Sequence, residues 1–224
     1  MGHELVVAPD EEALSSRAAE FVAACARSAV SVRGKFTFAV SGGHTPWAMF
    51  ANLVKDTLPW QVVQVFQVDE RVAPDGAPER NLTHLREALG DAPAEVMAMP
   101  VTDADLEEAA ARYAQVLPGT FDLVHLGLGP DGHTASLVPS DPVLDVADRL
   151  VAVTRPYQGH RRMTLTYPAL ERAAQTLWLV AGQDKREALA KLLAADPSIP
   201  AGRLRAQRST ILADVAAAEG LGSP

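Results

Sequence analysis

The chain has 224 residues, 48% of them hydrophobic, and a formal net charge of -8. That length carries one large α/β domain or two small ones, and the composition belongs to a globular chain, which excludes extended disorder. The acidic balance excludes a broad nucleic-acid surface, so an anionic ligand must be held by a local cluster of donors and cations. No apolar run reaches the roughly 20 residues of a membrane helix. The N-terminus, Met1-Gly-His-Glu-Leu-Val-Val7, has no basic stretch followed by an apolar one, so no secretory signal and no membrane partner are expected. Cys25 is the single cysteine, which rules out a disulfide framework and a cysteine-based metal cluster and makes the cytoplasm the expected compartment.

Leu5 to Ala8 reads as a short strand. Asp10 is a candidate cap for a long helix over Glu11 to Ser31, whose apolar face carries Leu14, Ala18, Phe21, Val22 and Cys25. Cys25 is therefore expected as a core thiol. Lys35 to Val40 is a buried strand that runs straight into Ser41-Gly-Gly-His-Thr-Pro46 and a helix from Trp47 to Lys55. Thr45 is the expected cap of that helix and Pro46 its first residue. A strand, a glycine turn and a helix start make an anion site, because free N–H groups and the helix dipole point the same way. A tight turn that needs glycine for geometry alone has the same pattern. Val62 to Val68 is a strand that delivers Asp69-Glu70-Arg71 to its end, where these charges either line a crevice or form a solvated salt-bridge cluster. After Pro74, Gly76 and Pro78, a helix opens at Glu79-Arg80-Asn81 and runs to about Leu89.

Glu95 to Met99 is a strand and Asp103 to Leu117 a helix with an acidic first turn. Phe121 to Leu128 is an apolar run of strand length that breaks into Gly127, Gly129 and Gly132, with Asp131 and His133 in the break. Val151 to Val153 is a short strand, Arg161 to Thr166 follows, and a helix starts near Pro168. Leu177 to Ala181 is the last clear core strand. Gly182-Gln-Asp-Lys185 turns into a helix over Arg186 to Ala194, and Ile211–Leu212 and Asp214 to Glu219 close the chain. With no repeat or linker, one domain over residues 1–224 is expected. Alternating strands and helices imply a mostly parallel sheet covered on both faces.

A carboxylate two residues before an imidazole, at the end of a buried strand, lies where an open α/β sheet places its ligand crevice. Histidine also exchanges a proton most readily near neutral pH, which makes His133 the candidate catalytic centre. Gly127-Leu-Gly-Pro-Asp-Gly132 formally fits the dinucleotide pattern G-x-G-x-x-G. It lies far from the first βα unit, contains Pro130, and has no acid near Val153 to hold a ribose. There is no G-x-S-x-G elbow for a serine hydrolase, and the histidines lack metal-ligand spacing.

Three blocks carry a resemblance: Ser41-Gly-Gly-His-Thr-Pro46; Asp69-Glu-Arg71 with Glu79-Arg-Asn81; and Gly127-Leu-Gly-Pro-Asp-Gly-His-Thr-Ala-Ser-Leu-Val-Pro139. In order and spacing they resemble those of the 6-phosphogluconolactonases, and Arg162-Met-Thr-Leu-Thr166 and Gly182-Gln-Asp-Lys185 fit as well. The chain departs from the commonest pattern at His44 and Arg80. The resemblance implies a Rossmann-like three-layer α/β/α sandwich and hydrolysis of 6-phospho-D-glucono-1,5-lactone to 6-phosphogluconate, the second step of the oxidative pentose phosphate route. It implies no cofactor or metal, a small sugar-phosphate lactone as the partner, and a monomer. His133 is then the base, Asp131 its orienting group, and Arg71 or the amides of Gly129 to Gly132 the oxyanion donors. Ser41, Gly42, Gly43 and Thr45 are expected at the phosphate with Arg162, Lys185 and Arg80, and Asp69, Asn81 and Gly129 among the residues that bind the substrate or its phosphate. Glucosamine-6-phosphate deaminases share the fold, but they carry a tyrosine where this chain has Arg71 and a glutamate soon after the histidine, where this chain has Ala135-Ser-Leu-Val-Pro139. A sugar-phosphate-binding regulator of the same fold would carry a helix-turn-helix segment, for which no residues are expected to be spare.

Overall fold

Asp10 starts the first helix as expected: its carboxylate accepts from the Ala13 N–H at 2.8 Å, and Gly34, at φ 73°, ends helix α1 (Glu11–Arg33). The computed structural model describes residues 2–221. Its strands β1 (Glu4–Ala8), β2 (Phe36–Val40), β3 (Val63–Gln67), β5 (Glu95–Met97), β6 (Leu123–Gly127), β9 (Thr176–Val180) and β10 (Ser209–Asp214) pair in the order β1-β10-β9-β6-β2-β3-β5. Every pairing in that sheet is parallel. All residues of β2, β9 and β10 are buried, as in a sheet covered on both faces. One face packs Phe38, Phe50 and Leu123 under α1 and α2 (His44–Leu53); the other packs Phe66, Phe121 and Trp178 under α4 (Leu106–Val116) and α6 (Arg186–Leu193).

The connectivity creates a switch point. From β2 the chain moves to β3 on one side, whereas from β6 it moves to β9 on the other. The crevice outside the carboxyl ends of β2 and β6 is where such sheets bind ligands. A second, antiparallel sheet of β4 (Asp69–Arg71), β8 (Arg162–Leu165) and β7 (Val151–Val153) stands at this end, pairing Arg71 with Arg162.

Several expectations change. β10 lies between β1 and β9, although only Ile211–Leu212 stood out in sequence; its first residues, Ser209 and Thr210, are polar yet buried. The helix expected from Trp47 begins at His44. Its cap is Gly43, at φ 127°, with no side-chain capping bond, so Thr45 lies inside the first turn and does not cap it. Helix α3 (Asn81–Leu89) starts two residues after Glu79, and the helix near Pro168 is the single turn α5 (Tyr167–Leu170). Cys25 sits partly exposed at the core margin, its Sγ 3.6 Å from Gln175 Oε1, and burial pushes its thiol up to about 11. The short helix α7 (Val215–Ala218) closes the described fold, capped by Asp214.

Candidate active site

Two walls of the crevice are loops leaving β2 and β6, and the small sheet supplies another. After β2, the Ser41 N–H is shared between the carbonyl and Nδ1 of His125, both at 3.3 Å, and Ser41 Oγ donates to the same carbonyl at 3.2 Å. This clamps the turn to β6 and leaves the uncapped start of α2 facing the crevice, as an anion site requires. Gly42 is required for contact with a neighbour: a Cβ there would stand 2.0 Å from Asn81 Oδ1. That oxygen accepts from Arg71 Nη1 at 2.6 Å. Gly42→Val is therefore expected to dislodge Asn81 and release Arg71, lowering lactone turnover as well as affinity, with the β2–β6 core kept. Steady-state kinetics beside a thermal melt check this; a raised KM with normal kcat would show that the valine blocks only ligand approach.

After β6, the chain folds over Gly129, whose N–H donates to the His133 carbonyl at 2.8 Å. A Cβ on Gly129 would lie 2.1 Å from His133 Nδ1 and 2.7 Å from Asp131 Oδ1, so only glycine lets this pair form. Asp131 Oδ1 accepts from the His133 imidazole Nδ1 at 2.5 Å and from the His133 backbone N–H at 3.1 Å. A carboxylate only accepts, so Nδ1 carries the proton and neutral His133 keeps its basic lone pair on Nε2. Partial burial raises the Asp131 carboxyl, but the His133 N–H, the imidazole and the Tyr157 hydroxyl outweigh it and hold the group below its usual value.

From the small sheet, Asp69, 5% exposed, accepts from Ser136 Oγ at 2.6 Å and from Asn81 Nδ2 at 3.4 Å. Burial raises its carboxyl, while the Ser136 bond, Arg71 and Arg162 pull the other way. Arg71 also donates to the Glu79 carbonyl at 3.1 Å. Burial lowers Arg162, and its Nε has no hydrogen-bond partner among the described residues. Like charges directly opposite in a sheet repel, and Arg71 opposite Arg162 leaves a place suited to an anion.

These groups surround a cavity of about 460 Å³ lined in part by Gly42, Arg71, Asn81, His133, Arg162 and Lys185. Ser41, Gly43, Thr45, Asp69 and Gly129 line it too, as does His44. Asp131 stands behind His133 and outside the lining. Arg80 is elsewhere and leaves the expected phosphate set. It is buried, its Nε is 3.0 Å from Glu70 Oε2, and its Nη1 donates to Ala73 O and Asp75 Oδ1. Glu70 is likewise internal, accepting from the N–H groups of Asn81 and Leu82, each at 2.8 Å, at the start of α3. The Asp69-Glu70-Arg71 run thus divides: the first and third face the crevice and the second builds the wall.

Sequence reasoning missed His125, Tyr157 and Gln158. His125 is fully buried on β6, and burial lowers its imidazole to about 3. With the unfolded value at 6.5, its contribution is intact above pH 6.5 and is lost as pH falls toward 3, because the unfolded chain takes up the proton first. The slope from this group is about 1.4 kcal/mol per pH unit. Urea midpoints between pH 7 and pH 4 should therefore fall faster for the wild type than for His125→Gln; parallel curves would show that His125 is not the acid-sensitive group.

The clamped glycine turn and the cations around it define an α/β/α protein with a cation-lined crevice at the carboxyl end of its sheet. Residues 9–213 match the family described as glucosamine-6-phosphate isomerases/6-phosphogluconolactonase, and the chain belongs to that family. It is 38% identical to the 6-phosphogluconolactonase of Synechocystis over 99% of both chains. It is 38% identical to that of Nostoc over 84% of each. The crystal structure of a 6-phosphogluconolactonase from Shewanella baltica superimposes with a TM-score of 0.87 at 26% identity, covering 95% of this chain and 97% of that one.

Proposed function

We propose that the protein hydrolyses 6-phospho-D-glucono-1,5-lactone to 6-phosphogluconate, with His133 as general base on water. The observation that carries this is the Asp131–His133 pair at 2.5 Å in a crevice that also holds Arg71, Arg162 and Lys185. Lactone hydrolysis needs water deprotonated as it attacks C1, and the free Nε2 of His133 can take that proton. Asp131 stabilises the resulting imidazolium, which then returns the proton to the departing ring oxygen. The oxyanion of the tetrahedral intermediate needs a donor in place beforehand. The Gly129 N–H is bonded to the His133 carbonyl, the Gly132 N–H to the Gly129 carbonyl and the His133 N–H to Asp131, so these loop amides are already engaged. Arg71, tethered by Asn81 and Glu79, is the better donor. The phosphate then lies against the start of α2 with Lys185, whose Nζ is 2.9 Å from Asp184. Arg162 stands between the two ends beside Asp69.

The deaminase reading shares the fold, so only residues separate it. Arg71 follows Asp69-Glu70, and Ala135 to Pro139 contains no acid to open or deaminate a sugar ring. Both features support the lactonase reading. A crystal soaked in 6-phosphogluconate tests it: the phosphate is expected at Gly42 to Thr45 and the carboxylate between Arg71 and His133. A product bound outside the crevice, or with its ends exchanged, contradicts these roles.

A further inference from the structure

The hairpin between β7 and β8 ends in a tight turn that reaches back to the site. The Tyr157 N–H donates to the His160 carbonyl at 2.9 Å and the His160 N–H to the Tyr157 carbonyl at 3.2 Å. Gln158 and Gly159 between them have φ of 51° and 85°. Both central residues are thus left-handed, as a two-residue hairpin turn of this hand requires. The turn sets the Tyr157 ring between two groups of the site. On one side its centroid is 5.7 Å from that of His133, edge to face at 65°. On the other, Arg162 Cζ lies 5.1 Å from the ring centroid, over its face. The hydroxyl donates to Asp131 Oδ2 at 3.2 Å, on the oxygen that His133 does not use. Gln158 closes the circuit: its Nε2 donates to the Tyr157 hydroxyl at 3.4 Å and its Oε1 accepts from Arg162 Nη2 at 3.2 Å.

We propose that Tyr157 is a positioning residue: its hydroxyl fixes the Asp131 carboxylate, and so the His133 imidazole, while its ring holds the Arg162 guanidinium at a set distance from that imidazole. This rests on the reading of His133 as the base. Asp131 has only two oxygens, and with His133 on one and Tyr157 on the other it cannot swing out of the imidazole plane. Burial and the nearby Asp131 charge raise the Tyr157 hydroxyl above its usual value, which keeps it a donor at neutral pH.

Tyr157→Phe and Tyr157→Leu separate the two roles. Phenylalanine keeps the ring and loses the hydroxyl, so kcat is expected to fall about 10-fold, the worth of one hydrogen bond to a charged group, with KM within about twofold. Leucine also loses the platform for Arg162, so KM is expected to rise about 5-fold as well. Equal melting temperatures establish that both variants fold. A phenylalanine variant with wild-type kcat overturns the proposal, and so does a leucine variant with unchanged KM. If the wild type does not hydrolyse the lactone, it is the functional reading that falls. The downfield proton resonance of His133 Nδ1–H then decides the positioning role without substrate: it is expected to weaken or move in Tyr157→Phe, and an unchanged resonance overturns the proposal.

Discussion

His133→Ala is expected to lower kcat by about 10²–10⁴-fold, the usual worth of a positioned base, and to leave the fold intact. The fold should survive because His133 is on a loop outside the sheet, its ring meets Asp131 and Tyr157, and its side chain is partly exposed. His133→Asn should be similarly impaired, since an amide can hydrogen-bond Asp131 but cannot take a proton from water. Rates must be corrected for spontaneous lactone hydrolysis. A variant that runs at the wild-type rate above that background removes His133 from the chemistry.

Arg71→Ala is the second large effect. If Arg71 faces the developing oxyanion, kcat and kcat/KM should fall together by about 10²-fold or more, as for loss of one such donor. If it only holds bound substrate, KM should rise with kcat nearly unchanged. The structure favours the first. Arg71 is at the end of β4, held by Asn81 at 2.6 Å, and the loop amides of Gly129, Gly132 and His133 are engaged. Lysine should rescue only in part, because it brings charge without the planar fork. Lys185→Ala is the contrast, expected to act mainly on KM from the turn between β9 and α6. Steady-state kinetics on both variants would show the roles exchanged if Arg71→Ala moved only KM and Lys185→Ala only kcat.

The fold was legible wherever a strand is mostly apolar, as in β2, β6 and β9, because burial and sequence pattern largely coincide there, the buried His125 of β6 apart. It was less legible at β10, where Ser209 and Thr210 are buried through their place in the sheet and not through hydrophobicity. The site was legible in its glycine turns, since Gly43 meets a conformational demand and Gly129 a demand for close approach, both of which sequence can signal. Arg80 was misplaced because a run of alternating charges does not say which members turn inward. Here Glu70 needs a buried cation and Arg80 supplies it. Tyr157 left no signal, because its importance comes from a hairpin turn that brings it across to a loop 26 residues earlier.

The most direct test is to incubate purified protein with freshly generated 6-phosphogluconolactone and, in parallel, with glucosamine 6-phosphate, each beside an enzyme-free control. The expected result is acid release from the lactone well above the spontaneous rate and no ammonia from the amino sugar. Ammonia release, or lactone loss no faster than in the control, would contradict the account.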